Sequence, residues 1–202
     1  MLHSKMLDKA KLETAFELLA KKCKENNISS PINLYVVGGA SILINFDFRK
    51  ATLDVDAYCD KIDELKDIIV EISLELYLDD DWINDDFINT PSYSDKIVEL
   101  SVLYKSFDNV IYVYTLEPKY MIAMKLKSSR PDGGDLDDIK RMIFELKLSG
   151  VELSFDEIME AYDYLYYGDR SYTYEHFFET TKKTIEMSVD EVKELLGIDQ
   201  DY

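Results

Sequence analysis

Positive charge is scarce in this 202-residue chain. Lys and Arg total 23 against 41 Asp and Glu, which gives a net charge of −18. A surface this acidic repels the phosphates of DNA and RNA, so extended, sequence-independent binding to nucleic acid is excluded. A local basic patch can still engage one RNA end, and small-molecule, nucleotide or protein partners suit the charge better.

Cysteine and histidine are nearly absent. Cys23 and Cys59 form no Cys-x-x-Cys pair, and neither His3 nor His176 has a companion at metal-ligand spacing. Zinc and dithiol chemistry are therefore not indicated. Both cysteines are predicted to be buried, reduced thiols, and this cysteine usage predicts a cytoplasmic location.

Long apolar segments are missing as well. The first residues carry no apolar signal core, and the one uncharged stretch, residues 28–46, is interrupted by Ser, Pro, Asn and Gly. A helix that spans a membrane needs about 20 consecutive, predominantly apolar residues. No membrane partner is predicted, because a strand, a turn and a helix explain this stretch better.

That stretch contains a Gly-Gly step between a predicted strand and a predicted helix. Residues 35–37 close an apolar, β-branched run that favours a buried strand, and residues 40–46 favour a short helix. Gly38 and Gly39 lack a Cβ, so a ligand can approach their backbone closely. The N–H groups at the start of the helix would face the same point, an arrangement that suits a phosphate.

Two aspartates follow on a second predicted strand, residues 53–59. Side chains alternate between the two faces of a strand, so Asp54 and Asp56 point the same way while Val55 points into the core. Two carboxylates this close repel each other unless a cation lies between them. Oxygen ligands favour Mg²⁺ or Mn²⁺, and these two aspartates are the predicted metal ligands.

Together these residues resemble the DNA polymerase β-type nucleotidyltransferase superfamily. Gly38-Gly39, fourteen intervening residues and Asp54-Val55-Asp56 are similar to its signature, and Arg49-x-x-Thr52 before the aspartates resembles the branch of the AbiEii-type (abortive infection) toxins. The resemblance implies an α/β (α+β) fold with a small mixed sheet. It also implies nucleotide-binding roles for Arg49 and Thr52.

A second segment resembles the same branch. In this segment a predicted helix carries Lys125. Arg130 follows that helix, and Asp135 and Asp138 lie at or near the start of the next predicted helix. The resemblance implies that Lys125 contacts the triphosphate and that Asp138 supports it or the acceptor, and Asp135 is a further candidate. The alternative is ordinary helix capping and surface ion pairing.

The superfamily also places a third carboxylate on a later strand. Residues 96–104 and 109–115 are predicted to form a β-hairpin, and Glu99 is the only acidic residue within either strand. Glu99 is therefore the candidate third carboxylate. An exposed strand position is the alternative.

The domain prediction is a nucleotidyltransferase core over residues 1–116 and a helical C-terminal subdomain over residues 117–202. Ser154 and Ser188 each begin a capping box, so a helix is predicted after each. Between them, the tyrosine-rich residues 162–174 are predicted to pack in the core of the subdomain. Stacking of a nucleotide base on these tyrosines is the alternative.

The predicted activity is Mg²⁺-dependent transfer of a nucleoside monophosphate from an NTP to an acceptor hydroxyl or phosphate. The acceptor would be an RNA end, a protein or a small molecule, and a toxin–antitoxin role with an antitoxin protein as partner is one variant. The other hypothesis is a catalytically inactive binding or regulatory module of the same fold. The predicted phosphate cradle is Gly38, Gly39 and Ser41, and the predicted cations beside it are Arg49, Lys125 and Arg130.

Overall fold

The computed structural model describes residues 5–28, 31–130 and 133–198. The chain divides into two compact units: unit 1 is Met1–Asn89 with Lys96–Glu117, and unit 2 is Thr90–Asp95 with Pro118–Tyr202. Compactness alone does not define a domain, so the predicted boundary after residue 116 stays a prediction. Among the described residues, no helix has the length and apolar character that crossing a membrane requires.

Unit 1 is a mixed sheet with helices. Its elements are α1 (Lys9–Glu25), β1 (Ile32–Val36), α2 (Gly38–Asn45), β2 (Val55–Tyr58), α3 (Ile62–Leu76), β3 (Ile83–Asn84), a 3₁₀ turn (Asp86–Asn89), α4 (Ile97–Leu100), β4 (Ser101–Phe107) and β5 (Ile111–Leu116). The strands run in the order β3-β2-β1-β5-β4, and β1 is parallel to β5 but antiparallel to β2. This arrangement confirms the predicted α+β fold.

The core of unit 1 lies between the sheet and helices α1 and α3. Alternate residues of β1, including Ile32 and Leu34, are fully buried against apolar residues of both helices. Trp82 is fully buried, and its indole N–H donates to the Ile69 carbonyl oxygen at 3.0 Å. Cys23 and Cys59 are buried free thiols, as predicted.

The hairpin of β4 and β5 is confirmed, but its first strand begins later than predicted. The residue pair at the end of the hairpin is Ser101 opposite Leu116. Beyond Leu116 the chain leaves the sheet and Pro118 begins a helix, so residues before Ser101 have no strand to pair with. The strand assignment of Glu99 is therefore wrong, and this residue lies in the single turn of α4.

Unit 2 is helical. Ser154 and Ser188 form the two predicted capping boxes, so these helix starts are confirmed. The helix Glu175–Glu186 was not predicted from the sequence. The helices of unit 2 are α5 (Pro118–Ser128), α6 (Asp135–Leu148), α7 (Phe155–Tyr166), α8 (Glu175–Glu186) and α9 (Val189–Leu195).

The tyrosine-rich segment of unit 2 divides into buried and exposed rings. Tyr162 and Tyr166 are buried in the helical core, as predicted, whereas Tyr167 and Tyr172 are about three-quarters exposed (74% and 75%). The Tyr162 hydroxyl donates to the Asp169 carbonyl oxygen at 3.0 Å. Tyr164, also in α7, is 45% exposed, so core packing explains Tyr162 and Tyr166 but not the other tyrosines of the segment.

Candidate nucleotide-binding site

The centre of the candidate site is the contact between Gly38 and Asp56. The Val37 N–H donates to the Asp56 carbonyl oxygen at 2.9 Å, which fixes the end of β1 beside the start of β2. Gly38 has a φ of +61°, and a Cβ built on it would lie 2.6 Å from Asp56 Oδ2. Glycine takes this backbone conformation without strain, and its lack of a Cβ leaves room for the close approach of this carboxylate.

Asp54 stands at the same end of β2. It immediately precedes the strand and is exposed, whereas Val55 is fully buried and Asp56 is partly buried. The strand begins at Val55 and not at the predicted residue 53, so Asp54 lies just outside it and the predicted shared face of the two aspartates stays a prediction. The predicted role of both aspartates as metal ligands stays a prediction.

Gly39 is enclosed by two residues that the sequence motif also contains. A Cβ built on Gly39 would lie 2.9 Å from Thr52 Oγ1 and 3.0 Å from Arg49 Nη1. Backbone hydrogen bonds in both directions, 2.7 and 2.9 Å long, join Thr52 to Leu7 and hold Thr52 in place. The structure therefore brings together four of the predicted nucleotide-binding residues, which are Gly38, Gly39, Arg49 and Thr52.

Helix α2 begins at Gly38, so both glycines belong to its first turn and not to a separate turn before it. Val37 is the N-cap residue, and within the described part of the chain no side chain caps this N-terminus. The uncapped N–H groups and the positive end of the helix dipole favour an anion here. Ser41 is 1% exposed and its Oγ has no hydrogen-bond partner among the described residues, so its predicted contact with phosphate stays a prediction.

The other predicted group forms an ion-pair cluster in unit 2. Lys125 Nζ lies 2.8 Å from Asp135 Oδ1 and 2.9 Å from Asp138 Oδ2. Arg130 donates to the Asp135 carboxylate from its backbone N–H (3.0 Å), from Nε (3.1 Å) and from Nη2 (3.1 Å). The cluster therefore joins the end of α5 to the start of α6.

The charges of this cluster determine the protonation state of its central carboxylate, Asp135. Burial by itself raises the pKa of Asp135, but the hydrogen bonds from Arg130 and the charge of Lys125 outweigh it and lower that pKa to about 2. Asp135 is fully buried and ionised at neutral pH. As placed, Lys125 neutralises two carboxylates of its own unit, and its predicted contact with a triphosphate stays a prediction.

A third carboxylate does not join the two aspartates in the structure. Within residues 5–28, 31–130 and 133–198, no group of three His, Cys, Asp or Glu side chains is placed to hold one metal ion. Glu99 is exposed, and its Oε2 lies 3.7 Å from Lys96 Nζ.

Glu117, a carboxylate that the sequence reasoning did not consider, directly follows β5. Val36 pairs with Thr115 in the parallel register, so Gly38 and Glu117, each two residues further on, leave the sheet at the same edge. The available signal was the position of Glu117 between the last apolar strand residue and Pro118.

One family model covers most of the chain. The family described as "nucleotidyltransferase of unknown function (DUF6036)" matches residues 10–188. No curated protein and no solved structure matches the chain significantly. The match does not separate the AbiEii-type branch from others, so that finer resemblance stays a prediction. Because the match spans both the glycine turn and the ion-pair cluster, the chain belongs to this family of nucleotidyltransferases.

Proposed function

We propose that the protein transfers a nucleoside monophosphate from a magnesium-bound NTP to an acceptor hydroxyl or phosphate and releases pyrophosphate. The observation that carries this proposal is the Asp56 carboxylate placed against Gly38 at the uncapped start of α2. One point of the chain thereby offers both an oxygen ligand for a cation and N–H donors for a phosphate. Membership of a nucleotidyltransferase family supports the same chemistry.

The residues fit Mg²⁺ or Mn²⁺ as the cation. The donors at this edge are the carboxylates of Asp54 and Asp56, and Mg²⁺ is commonly held by one or two carboxylates together with substrate phosphates and water. The lack of a three-residue cluster in the described part of the chain is compatible with that mode of binding. When bound, the metal would polarise the phosphorus centre and lower the pKa of the attacking hydroxyl.

The remaining residues of the site would bind and orient the triphosphate. The backbone N–H groups of Gly38 and Gly39 would donate to phosphate oxygens, with the Thr52 hydroxyl as a further donor. The guanidinium of Arg49, held beside Gly39, would offset phosphate charge. Such fixed donors act by positioning and charge stabilisation, which are the main contributions of a protein to phosphoryl transfer.

The acceptor is proposed more broadly: an RNA end, a protein side chain or a small molecule. The net charge of −18 favours an acceptor without an extended phosphate backbone. A toxin role with an antitoxin protein as partner is a narrower proposal that rests on the sequence resemblance alone.

The test is incubation of the full chain with Mg²⁺ and each α-labelled NTP, with total RNA or cell extract as the source of acceptor. We expect label transfer and pyrophosphate release, both lost with EDTA and both reduced in Asp54→Asn and Asp56→Asn. Asp81→Asn is the matched control, because Asp81 is an exposed aspartate of the acidic loop after α3. Equal transfer by the wild type and by both site variants would refute the proposed roles of Asp54 and Asp56.

The second candidate function is an inactive nucleotide-binding module. The observation that favours it is the lack of three grouped metal ligands among the described residues. It predicts magnesium-dependent NTP binding with neither label transfer nor pyrophosphate release in any extract. The same experiment therefore separates the two functions, provided that NTP binding is measured alongside turnover.

A further inference from the structure

Three tyrosine rings form a row across the sheet of unit 1. Tyr35 on β1 lies opposite Tyr58 on β2 and opposite Tyr114 on β5. The ring centroids are 6.2 Å apart for Tyr35 and Tyr58 and 5.0 Å apart for Tyr35 and Tyr114, whose planes differ by only 21°. These separations are typical of interacting aromatic pairs. The three rings, here called the tyrosine row, therefore pack against one another: Tyr35 lies between Tyr114 and Tyr58, and Tyr58 is the end ring on the β2 side.

The tyrosine row shares a sheet face with the candidate metal ligand Asp56. Along β2, Asp56 and Tyr58 are partly buried, whereas Val55 and Ala57 are fully buried on the core side. Residues two apart on a strand point to the same face, about 7 Å from one another. The row thus begins at Tyr58, two residues along β2 from the carboxylate beside Gly38.

The three rings lie outside the apolar core. Each ring is partly buried, and none of the three hydroxyls hydrogen-bonds to a described residue. None of these hydroxyl oxygens is fully buried either. A tyrosine that is buried for packing usually has a partner for its hydroxyl. These hydroxyls therefore meet solvent, and the row is a half-covered surface beside the site.

We propose that the tyrosine row binds the base of the nucleotide: with the triphosphate at Gly38 and Asp56, the base stacks on Tyr58, the end ring of the row, which Tyr35 supports from its other side. This inference rests on the proposed function and names a part of the same site. Aromatic faces stack every nucleobase, so the row supplies affinity more than a choice between bases. The uncharged rings also let a base approach an otherwise acidic protein without electrostatic repulsion.

The test compares ligands with and without a base. Dissociation constants of the full chain are measured by calorimetry, with Mg²⁺, for the four NTPs and for inorganic tripolyphosphate. We expect Tyr58→Leu to weaken binding of the preferred NTP by about 5- to 150-fold and to leave tripolyphosphate binding unchanged. Tyr58→Phe keeps the ring and should bind like the wild type, since the hydroxyl bonds to none of the residues that the structure describes.

Tyr112→Leu is the matched control. Tyr112 is a partly buried tyrosine on the same face of β5 as Tyr114, but it pairs with Asn33 and lies further from Asp56. It should bind the NTP like the wild type. Equal NTP affinity of Tyr58→Leu and wild type, or an equal loss of NTP and tripolyphosphate affinity in Tyr58→Leu, would overturn the inference. A wild type that binds neither ligand would overturn the proposed function as well.

A measurement on the unaltered protein covers the case in which Tyr58→Leu does not fold. An azido-purine triphosphate is photolysed on the wild type with Mg²⁺, and the adduct is located by mass spectrometry. The inference predicts an adduct on Tyr35 or Tyr58 that excess unlabelled NTP prevents. Competable adducts found only elsewhere in the chain would contradict it.

Discussion

Replacing Gly38 by alanine tests the close approach of Asp56 to the glycine turn. At its φ of +61°, an alanine costs about 1 to 2 kcal/mol. The lower entropy of the unfolded chain returns about 0.4 to 1 kcal/mol of this. The expected loss of unfolding free energy is therefore about 1 kcal/mol, measured by urea denaturation.

The effect on activity should be larger than the effect on stability. The added Cβ would lie 2.6 Å from Asp56 Oδ2. Carbon–oxygen contacts are seldom closer than about 3.3 Å, so the carboxylate must move by roughly 0.7 Å. Misplacement of a reacting group by about 1 Å can cost on the order of 100-fold in rate. We expect Gly38→Ala to lower the rate of pyrophosphate release by about 10- to 100-fold.

Gly150 supplies the matched control. Its φ is +71°, but a Cβ built on it meets nothing within 4 Å. Gly150→Ala should therefore lose a similar amount of unfolding free energy and keep its full rate of pyrophosphate release. Equal rates for Gly38→Ala, Gly150→Ala and the wild type would refute the reasoning, because the position of the Asp56 carboxylate would then not matter to the reaction.

Three other predictions concern carboxylates and a buried lysine. Glu117→Gln should lower the rate of pyrophosphate release and Glu99→Gln should not. The reason is that, of these two residues, only Glu117 follows a strand at the sheet edge where Gly38 lies. The reverse result would restore Glu99 as the candidate third carboxylate. The pKa of Asp135 is about 2 in the folded protein and 3.8 for the free side chain. The ionised carboxylate of Asp135 therefore contributes about 2 kcal/mol to the free energy of unfolding above pH 4, and this contribution is lost as the pH falls towards 2. Asp135→Asn should flatten the urea-denaturation profile in that range, and an unchanged slope would contradict the low pKa. Lys127 is 3% exposed and donates to two backbone carbonyls and to the Asp169 carboxylate. Lys127→Met should therefore lower the free energy of unfolding by about 1 to 3 kcal/mol. A loss within error of zero would contradict this prediction and show that water replaces these hydrogen bonds.

The local part of the site could be predicted from the sequence because its determinants are local. The strand, the glycines and the helix of residues 32–45 follow from an apolar run and two residues without a Cβ. The alternation around Val55 follows from the period of a strand. What the sequence could not give is the partner of each glycine: Asp56 for Gly38, and Thr52 with Arg49 for Gly39.

The secondary-structure prediction failed where strand pairing decided the structure and where the buried face of a helix contains polar residues. The apolar residues around Glu99 suit a strand, but the neighbouring strand ends at Leu116, so they form one helical turn. Helix α8 was missed because two of its buried positions are Thr181 and Thr184, which a search for apolar periodicity does not count. The tyrosine row was missed because it exists only once β1, β2 and β5 are in register.

The most direct test of the central claim is the magnesium dependence of NTP binding by the wild type and by Asp56→Asn, measured by calorimetry. The claim is that the carboxylate beside Gly38 and the start of α2 together hold a metal-bound triphosphate. It predicts that at least one of the four NTPs binds the wild type with Mg²⁺ and not with EDTA, and that Asp56→Asn loses this binding. Binding that is equally tight in the variant, or no binding of any NTP to the wild type, would contradict the claim.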